Sequence, residues 1–479
     1  MKTLHIFVFL LASVVLRAQT NEETLVKACL QGDLEAVKKA VDAGANPNGT
    51  APNGARPLSS AYFWPEITQY LLDHGAKPND GDSPALVMAA RYYSVDVMKI
   101  LLKAGADPNR PIVVKVDQGA AIRKLIEDEQ AKGKKANKNL LKVWQGMLDK
   151  MGDGGSATST TALFMVLSFT NCKPCAELLL DAGAKTDGLD AGGGTAIHTL
   201  AFGWMESSQR VDNIRKNMPT LDGLGVRVPD WYRNLDPAQY GTASDMIGLL
   251  KKAGVNILTP NKLQLTPLQL ALSKEERVSS EVLLGLIDQG ADVNEDFQKR
   301  GSIVVQAAAY GSPAVMEALI AKGVDINHED VVTSGPESWK GFTALINAVK
   351  TNNFPTVKFL VEHGAKVTEG VHGTGTIYSY KTNTKCEGYE VKNKSVIFFA
   401  VETGNLELIK YLIEAKNLSW KNVKDMEYKE PKGMTHTGDG SKCFPFGIFS
   451  PPSYAKRLGL EDIQQYLKDA NMGNSFFKK

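Results

Sequence analysis

Cysteine and histidine are the residues of this chain whose types and spacing could do chemistry. Cys172-Lys173-Pro174-Cys175 has the C-x-x-C spacing that lowers a thiol pKa at a helix start, so it reads as a redox pair or a local disulfide. No strand-helix-strand pattern of a thioredoxin-like site surrounds it, which favours a disulfide or inert thiols. Cys386 and Cys443 stand alone in two later insertions and are the other disulfide candidates. With His372 and His436 they could gather a zinc ion, but in an exported chain a structural disulfide is the preferred reading. Cys29, in an Ala-rich run, reads as a free core thiol. The run from Gly370 through His372 to Gly375 lacks the strand-to-helix setting of a phosphate cradle and reads as loop. Asp439-Gly440 lacks the acidic ladder of a calcium loop. His74 and His363 precede glycines, where an imidazole can cap the last carbonyls of a helix. No catalytic set, metal site or cofactor site emerges, and no enzyme is expected.

Charge and the N-terminus narrow the class further. Lys2, an apolar run from Leu4 to Leu16 and Arg17-Ala18-Gln19 describe a secretory signal peptide, with cleavage after Ala18. The mature chain is then expected to be periplasmic or secreted. Removing Lys2 and Arg17 takes the 55 basic residues to 53, against 53 acidic ones, so the mature chain is formally neutral. A general nucleic-acid binder needs a net basic face, so nucleic acid is not an expected partner. One basic stretch, Arg123 to Lys150, reads as a solvated insertion helix, with a polyanion or envelope-polysaccharide site as the alternative. No further stretch is long and apolar enough to span a bilayer.

The elements that must position these residues recur. Glycines at 44, 75, 105, 183, 254, 290, 323 and 364 each end an apolar helical run, at spacings of 31, 30, 78, 71, 36, 33 and 41 residues. Most intervals sit near one unit of about 33 residues, and the two long ones are a unit plus an insertion. Upstream of each lies a second phrase that begins with Thr or Ser in most copies, such as Thr266-Pro267-Leu268-Gln269 and Thr195-Ala196-Ile197-His198. A hydroxyl there can accept from the free amides of a first helical turn. Each unit therefore holds two helices, and glycine supplies the left-handed turn after the second.

These phrases approximate the T-P-L-H motif, and Gly290-Ala291-Asp292-Val293-Asn294 matches the tail, of ankyrin repeats, a family this chain resembles from about Leu25 to Met472. Looser copies, such as Ser302 to Val305, depart from the motif. The resemblance implies an all-α solenoid of antiparallel helix pairs, with β-turn fingers on one side. It also implies a scaffold that binds another protein through the concave finger and helix surface, and a monomer is expected. Repeats 1 to 3 fill 19–109, repeats 4 to 8 fill 158–368, a degenerate ninth copy covers 395–418, and 453–479 holds a capping helix and tail.

Insertions interrupt at 110–157, 202–243, 369–394 and 419–452. The second is expected to be partly helical at best, and the third and fourth have a hairpin-like look. Their aromatics either anchor a partner or fold back to seal the solenoid; sealing is favoured because burying one ring contributes about 2 kcal/mol. The anchor candidates are Trp231, Tyr232, Tyr378, Tyr380 and Phe446. The rival function is an enzyme or redox protein working at the insertion-lined C-terminal end.

Overall fold

The computed structural model describes residues 20–116 apart from 83, residues 126 and 141, and 156–472 with gaps at 189–193, 205–206, 224, 274–278, 298–299, 335–336, 368, 380–383, 417, 419–420 and 430–446. The expected leader, Tyr380, His436, Cys443 and Phe446 lie outside the described residues, as does Arg123 to Lys150 apart from Ile126 and Leu141. The backbone of Tyr378 lies in a strand and that of Cys386 in the next, while their side chains lie outside the described residues. The chain divides into two compact units, Met1–Val255 with Asn261–Leu263, and Asn256–Pro260 with Gln264–Lys479.

In the first unit the repeated phrases become helix pairs. The inner helices are Asn21–Gln31, Pro57–Ser60, Ala85–Arg91, Ala162–Met165 and Ala196–Gly203. Their outer partners are Leu34–Asp42, Pro65–Asp73, Val95–Lys103, Lys173–Asp181 and Ala243–Lys252. Polar side chains cap many starts: Thr20 accepts from the Glu23 amide, and Thr242 forms a reciprocal capping box with Asp245. At the other end the eight repeat glycines have φ between 83° and 93° with open space where a Cβ would stand, so backbone conformation rather than crowding demands them.

Asparagines lace neighbouring fingers together. Asn48 Nδ2 donates to Gly75 O at 2.8 Å while its Oδ1 accepts from the Lys77 amide at 2.8 Å. Asn79 repeats this with Gly105 and Asp107, and Asn109 with Gly183 and Lys185. The last link passes over the whole first insertion. That is possible because the insertion leaves on strand β1 (Ile112–Val116) and returns antiparallel on β2 (Ser156–Thr160), with Ile112 opposite Thr160.

The second unit departs from the all-α expectation. It has helix pairs Pro267–Leu272 with Ser280–Asp288, Ile303–Tyr310 with Pro313–Ala321, Ala344–Lys350 with Phe354–Glu362, and Val396–Thr403 with Leu406–Lys416. Its fingers lengthen into strands β3 (Asp330–Ser334), β4 (Glu337–Phe342), β5 (Gly370–Ser379), β6 (Thr384–Ser395), β7 (Met426–Lys429) and β8 (Gly447–Phe449). They pair in chain order as one six-stranded antiparallel sheet. Successive fingers leave adjacent repeats side by side, so once each becomes a hairpin its edge meets the next hairpin and the ladder closes between them. Where a single capping helix is expected, the chain forms a further pair, Pro451–Leu458 and Glu461–Asp469.

The reading of Gly370 to Gly375 as loop is also corrected, since it opens β5. A Cβ at Gly373 would stand 1.8 Å from Ser338 O of β4, so glycine is what lets the two strands approach.

Candidate interaction surface

The insertion at 202–243 builds most of the distinctive surface of the first unit. It is largely helical, against expectation, with helices Ser207–Gly223 and Asp230–Arg233 and a 3-10 turn Pro237–Tyr240. It runs as a strap over the turns that join inner to outer helices. Near its start Arg210, 1% exposed, donates to Thr170 O of the fourth repeat at 3.4 Å and lies 5.4 Å from the Trp204 ring. The Arg227 amide then donates to Leu30 O of the first repeat at 3.0 Å, and its guanidinium lies over Trp64 of the second. Trp231 and Tyr232 follow against Phe63, and Tyr240 against Tyr93 of the third repeat.

This separates two of the anchor candidates. Tyr232 is only 2% exposed and packs on Phe63 and Tyr92 at 5.0 and 5.9 Å, so it seals the strap onto the repeats and is corrected from anchor to core. Burial drives its phenol far above the usual range. Its neighbour Trp231 keeps 42% of its surface in solvent.

A second exposed group was not singled out by the sequence. Phe169 and Phe202 are 51% and 55% exposed at the ends of the inner helical segments of the fourth and fifth repeats. These segments abut, for a Cβ at Gly203 would stand 2.8 Å from Ser168 Cα. Arg91 ends the third inner helix with its guanidinium 5.6 Å from the Phe169 ring and 6.0 Å from Tyr92. Among the described residues no carboxylate forms an ion pair with Arg91. An exposed arginine with flanking aromatics is the composition of interface hot spots. The available signal was Phe at two helix ends where the small residues of the phrase run out.

In the second unit the finger sheet has one sealed face. Val332, Trp339, Gly373, Val391, Tyr428 and Gly447 stand in one line across it. Beneath, Lys394 is 1% exposed, donates to both Glu402 oxygens at 2.7 and 2.8 Å, and lies 4.2 Å from the Phe399 ring and 4.9 Å from that of Trp339. The Tyr454 hydroxyl donates to the same carboxylate. Burial pushes the Lys394 ammonium below its ordinary pKa, with Glu402 opposing. The outward face carries Val331, Lys340, His372, Lys392 and Ile448, all exposed, and Glu427, which pairs with Lys429 at 3.1 Å.

The chemistry-bearing residues occupy structural places. The sulfurs of Cys172 and Cys175 stand 2.01 Å apart without solvent exposure at the start of the fourth outer helix, the geometry of the local disulfide expected there. Cys29 is free and buried, its thiol raised to about 12 by desolvation. Cys386 and Cys443 are not tied by any described contact, because Cys443 lies outside the described residues. His74 and His363 meet Tyr70 O and Phe359 O through Nδ1 at 2.8 and 2.7 Å, which caps their helices. His372 Nδ1 accepts from the Asn393 amide at 3.3 Å.

The comparisons agree with this architecture. A family model for ankyrin repeats, three copies, matches residues 25–112 and 279–371. Cyclin-dependent kinase 4 inhibitor B of Rattus norvegicus is 36% identical over 91 residues, covering 18% of this chain and 70% of that protein. Its Mus musculus counterpart is 33% identical over 92 residues, 18% of this chain and 71% of that protein. Cyclin-dependent kinase inhibitor 2A of Homo sapiens is 32% identical over 93 residues, 18% and 60% respectively. Stacked helix pairs, capped starts, left-handed glycines and asparagine-laced fingers thus coincide with a matching family model and with relatives over most of their own length, and the chain belongs to the ankyrin-repeat family.

Proposed function

We propose that this protein is an exported scaffold that binds another protein through the inner-helix side of its first unit. The observation that carries the reading is the group Arg91, Phe169 and Phe202, where consecutive repeats present two half-exposed rings and a cation that, among the described residues, forms no ion pair. Trp231 of the strap is an additional anchor in the same unit. The charge of Arg91 selects a partner segment with a carboxylate set among apolar side chains. Relatives named as kinase inhibitors act on a protein, which supports a protein partner in general; the likeness spans too little of this chain to name a kinase.

Export rests on the leader pattern at Lys2 to Gln19, and N-terminal sequencing of the cellular protein is expected to begin at Gln19. An intact Met1 on a cytosolic protein would refute that half of the proposal. The binding half is tested by affinity capture from the exported fraction with wild type, Arg91→Glu, and the double variant Phe169→Ala with Phe202→Ala. A protein recovered by wild type and lost by both variants, at unchanged melting temperature, supports the surface. Equal recovery by all three removes it.

A further inference from the structure

The strap leaves a hollow where it returns over the third repeat. Phe63, Tyr93, Trp231 and Tyr240 wall a cavity of about 180 Å³, and its remaining lining is Pro65 with the stretch Ser94 to Val97, in which Asp96 is the one charged residue. That is the space of roughly six waters, enough for one long side chain. The rings stand as two edge-to-face pairs, Phe63 with Trp231 at 5.8 Å and Tyr93 with Tyr240 at 5.1 Å between centroids. Phe63 comes from the second repeat, Tyr93 and Asp96 from the third, and Trp231 and Tyr240 from the strap, so the cavity exists only because the strap closes over the repeats. It opens to solvent beside Trp231, which is 42% exposed.

Its electrostatics favour a positive guest. Aromatic faces attract cations, and the Asp96 carboxylate adds a full negative charge. Three positive influences oppose this. The first is the start of the Val95–Lys103 helix, a partial charge of about half a unit that one carboxylate exceeds. The second is Lys99, whose 3.1 Å pair with Asp96 joins two side chains 57% and 73% exposed, a contact that solvent already weakens and a competing cation can replace. The third is Arg210, which is 1% exposed and whose guanidinium is engaged by Thr170 O and the Tyr93 hydroxyl.

We infer that this cavity receives a basic side chain, the ammonium of a lysine or the guanidinium of an arginine, from the protein that the scaffold binds. The inference rests on the scaffold reading and shares Trp231 with it, but it turns on Asp96 and the cavity rather than on Arg91, Phe169 and Phe202, so the two fail separately. The contact would supply a second, oppositely charged point of recognition beside Arg91. Together they would fix the register of a segment carrying both an acid and a base.

The test uses the full chain and three probes of similar size: the Nα-acetyl methylamides of lysine, arginine and norleucine. Ligand-observed saturation-transfer NMR is expected to show the lysine and arginine probes bound and the uncharged norleucine probe bound far more weakly. Asp96→Asn, an exposed substitution that leaves the fold intact, is expected to weaken the two basic probes by roughly fivefold or more. Trp231→Ala should abolish their binding, with Trp231→Phe retaining part of it. Equal binding of norleucine and lysine would reduce the cavity to an apolar hollow and overturn the inference. Indifference to Asp96→Asn, or no binding by any probe, overturns it as well. If the probes fail while capture still depends on Arg91 and Phe169, the scaffold reading stands without this cavity.

Discussion

At the scale of single residues, burial sorts side chains that look alike in sequence. Trp231 and Tyr232 are neighbours in one insertion, yet one ring is 42% exposed and the other 2%. Tyr232→Ala is therefore expected to cost on the order of 3–5 kcal/mol in stability, read as a lower melting temperature, while Trp231→Ala changes binding and leaves the melt nearly intact. A reversed pattern would contradict the placement of the strap. Glu337 offers a pH test. Burial raises its carboxyl pKa, but the Lys350 charge and hydrogen bonds from Lys350 and the Trp339 indole outweigh this and hold it below the usual range. A depressed carboxylate pKa contributes stability that is present above the unfolded-state value and lost as pH falls through the folded one. Glu337→Gln should thus be less stable than wild type at neutral pH, and the two should converge in acid below the ordinary carboxylate range. A gap that persists or widens in acid would rule out this ion pair as its source.

At the scale of elements, the fold depends on contacts between fingers. Asn79 makes two hydrogen bonds to the next finger, so Asn79→Ala is expected to cost about 1–2 kcal/mol by chemical denaturation, although the residue is only half-buried. No measurable loss would mean that the lacing is decorative. In the finger sheet, Gly373→Ala drives a methyl into Ser338 O and is expected to cost roughly 3 kcal/mol or to shift β5 against β4. Amide exchange across β4 and β5 reads that outcome, and unchanged protection would show that the strands are not so close. The sheet is the element least visible beforehand. Hairpin-like segments could be seen at Ile377 to Val391, but nothing local to them says that three hairpins from successive repeats lie in one register.

For the whole molecule, the quasi-linear logic of repeats governs how damage spreads. Leu101 is fully buried between outer helices, whereas the adjacent Leu102 is half-buried. Leu101→Ala should cost on the order of 2–5 kcal/mol and Leu102→Ala clearly less. Because coupling in such arrays is between nearest repeats, exchange protection is expected to fall first in repeats two to four. Loss spread evenly over the chain would argue against this register.

What the sequence determined by itself is the repeating part. Helix pairs, their capped starts and their left-handed glycines are local, since each depends on residues within a few positions: Thr242 with Asp245, Thr266 with Gln269, Gly290 with the helix it ends. Only the tertiary structure decided how the insertions are used. Arg227 meets Leu30, Tyr240 meets Tyr93, and Lys394 finds Trp339 across the sheet, because those partners are brought together by stacking of whole repeats. Periodicity announces the stack, but which side chains remain open on it depends on where an irregular segment comes to rest. That is a matter of long-range packing, which leaves no period in the chain.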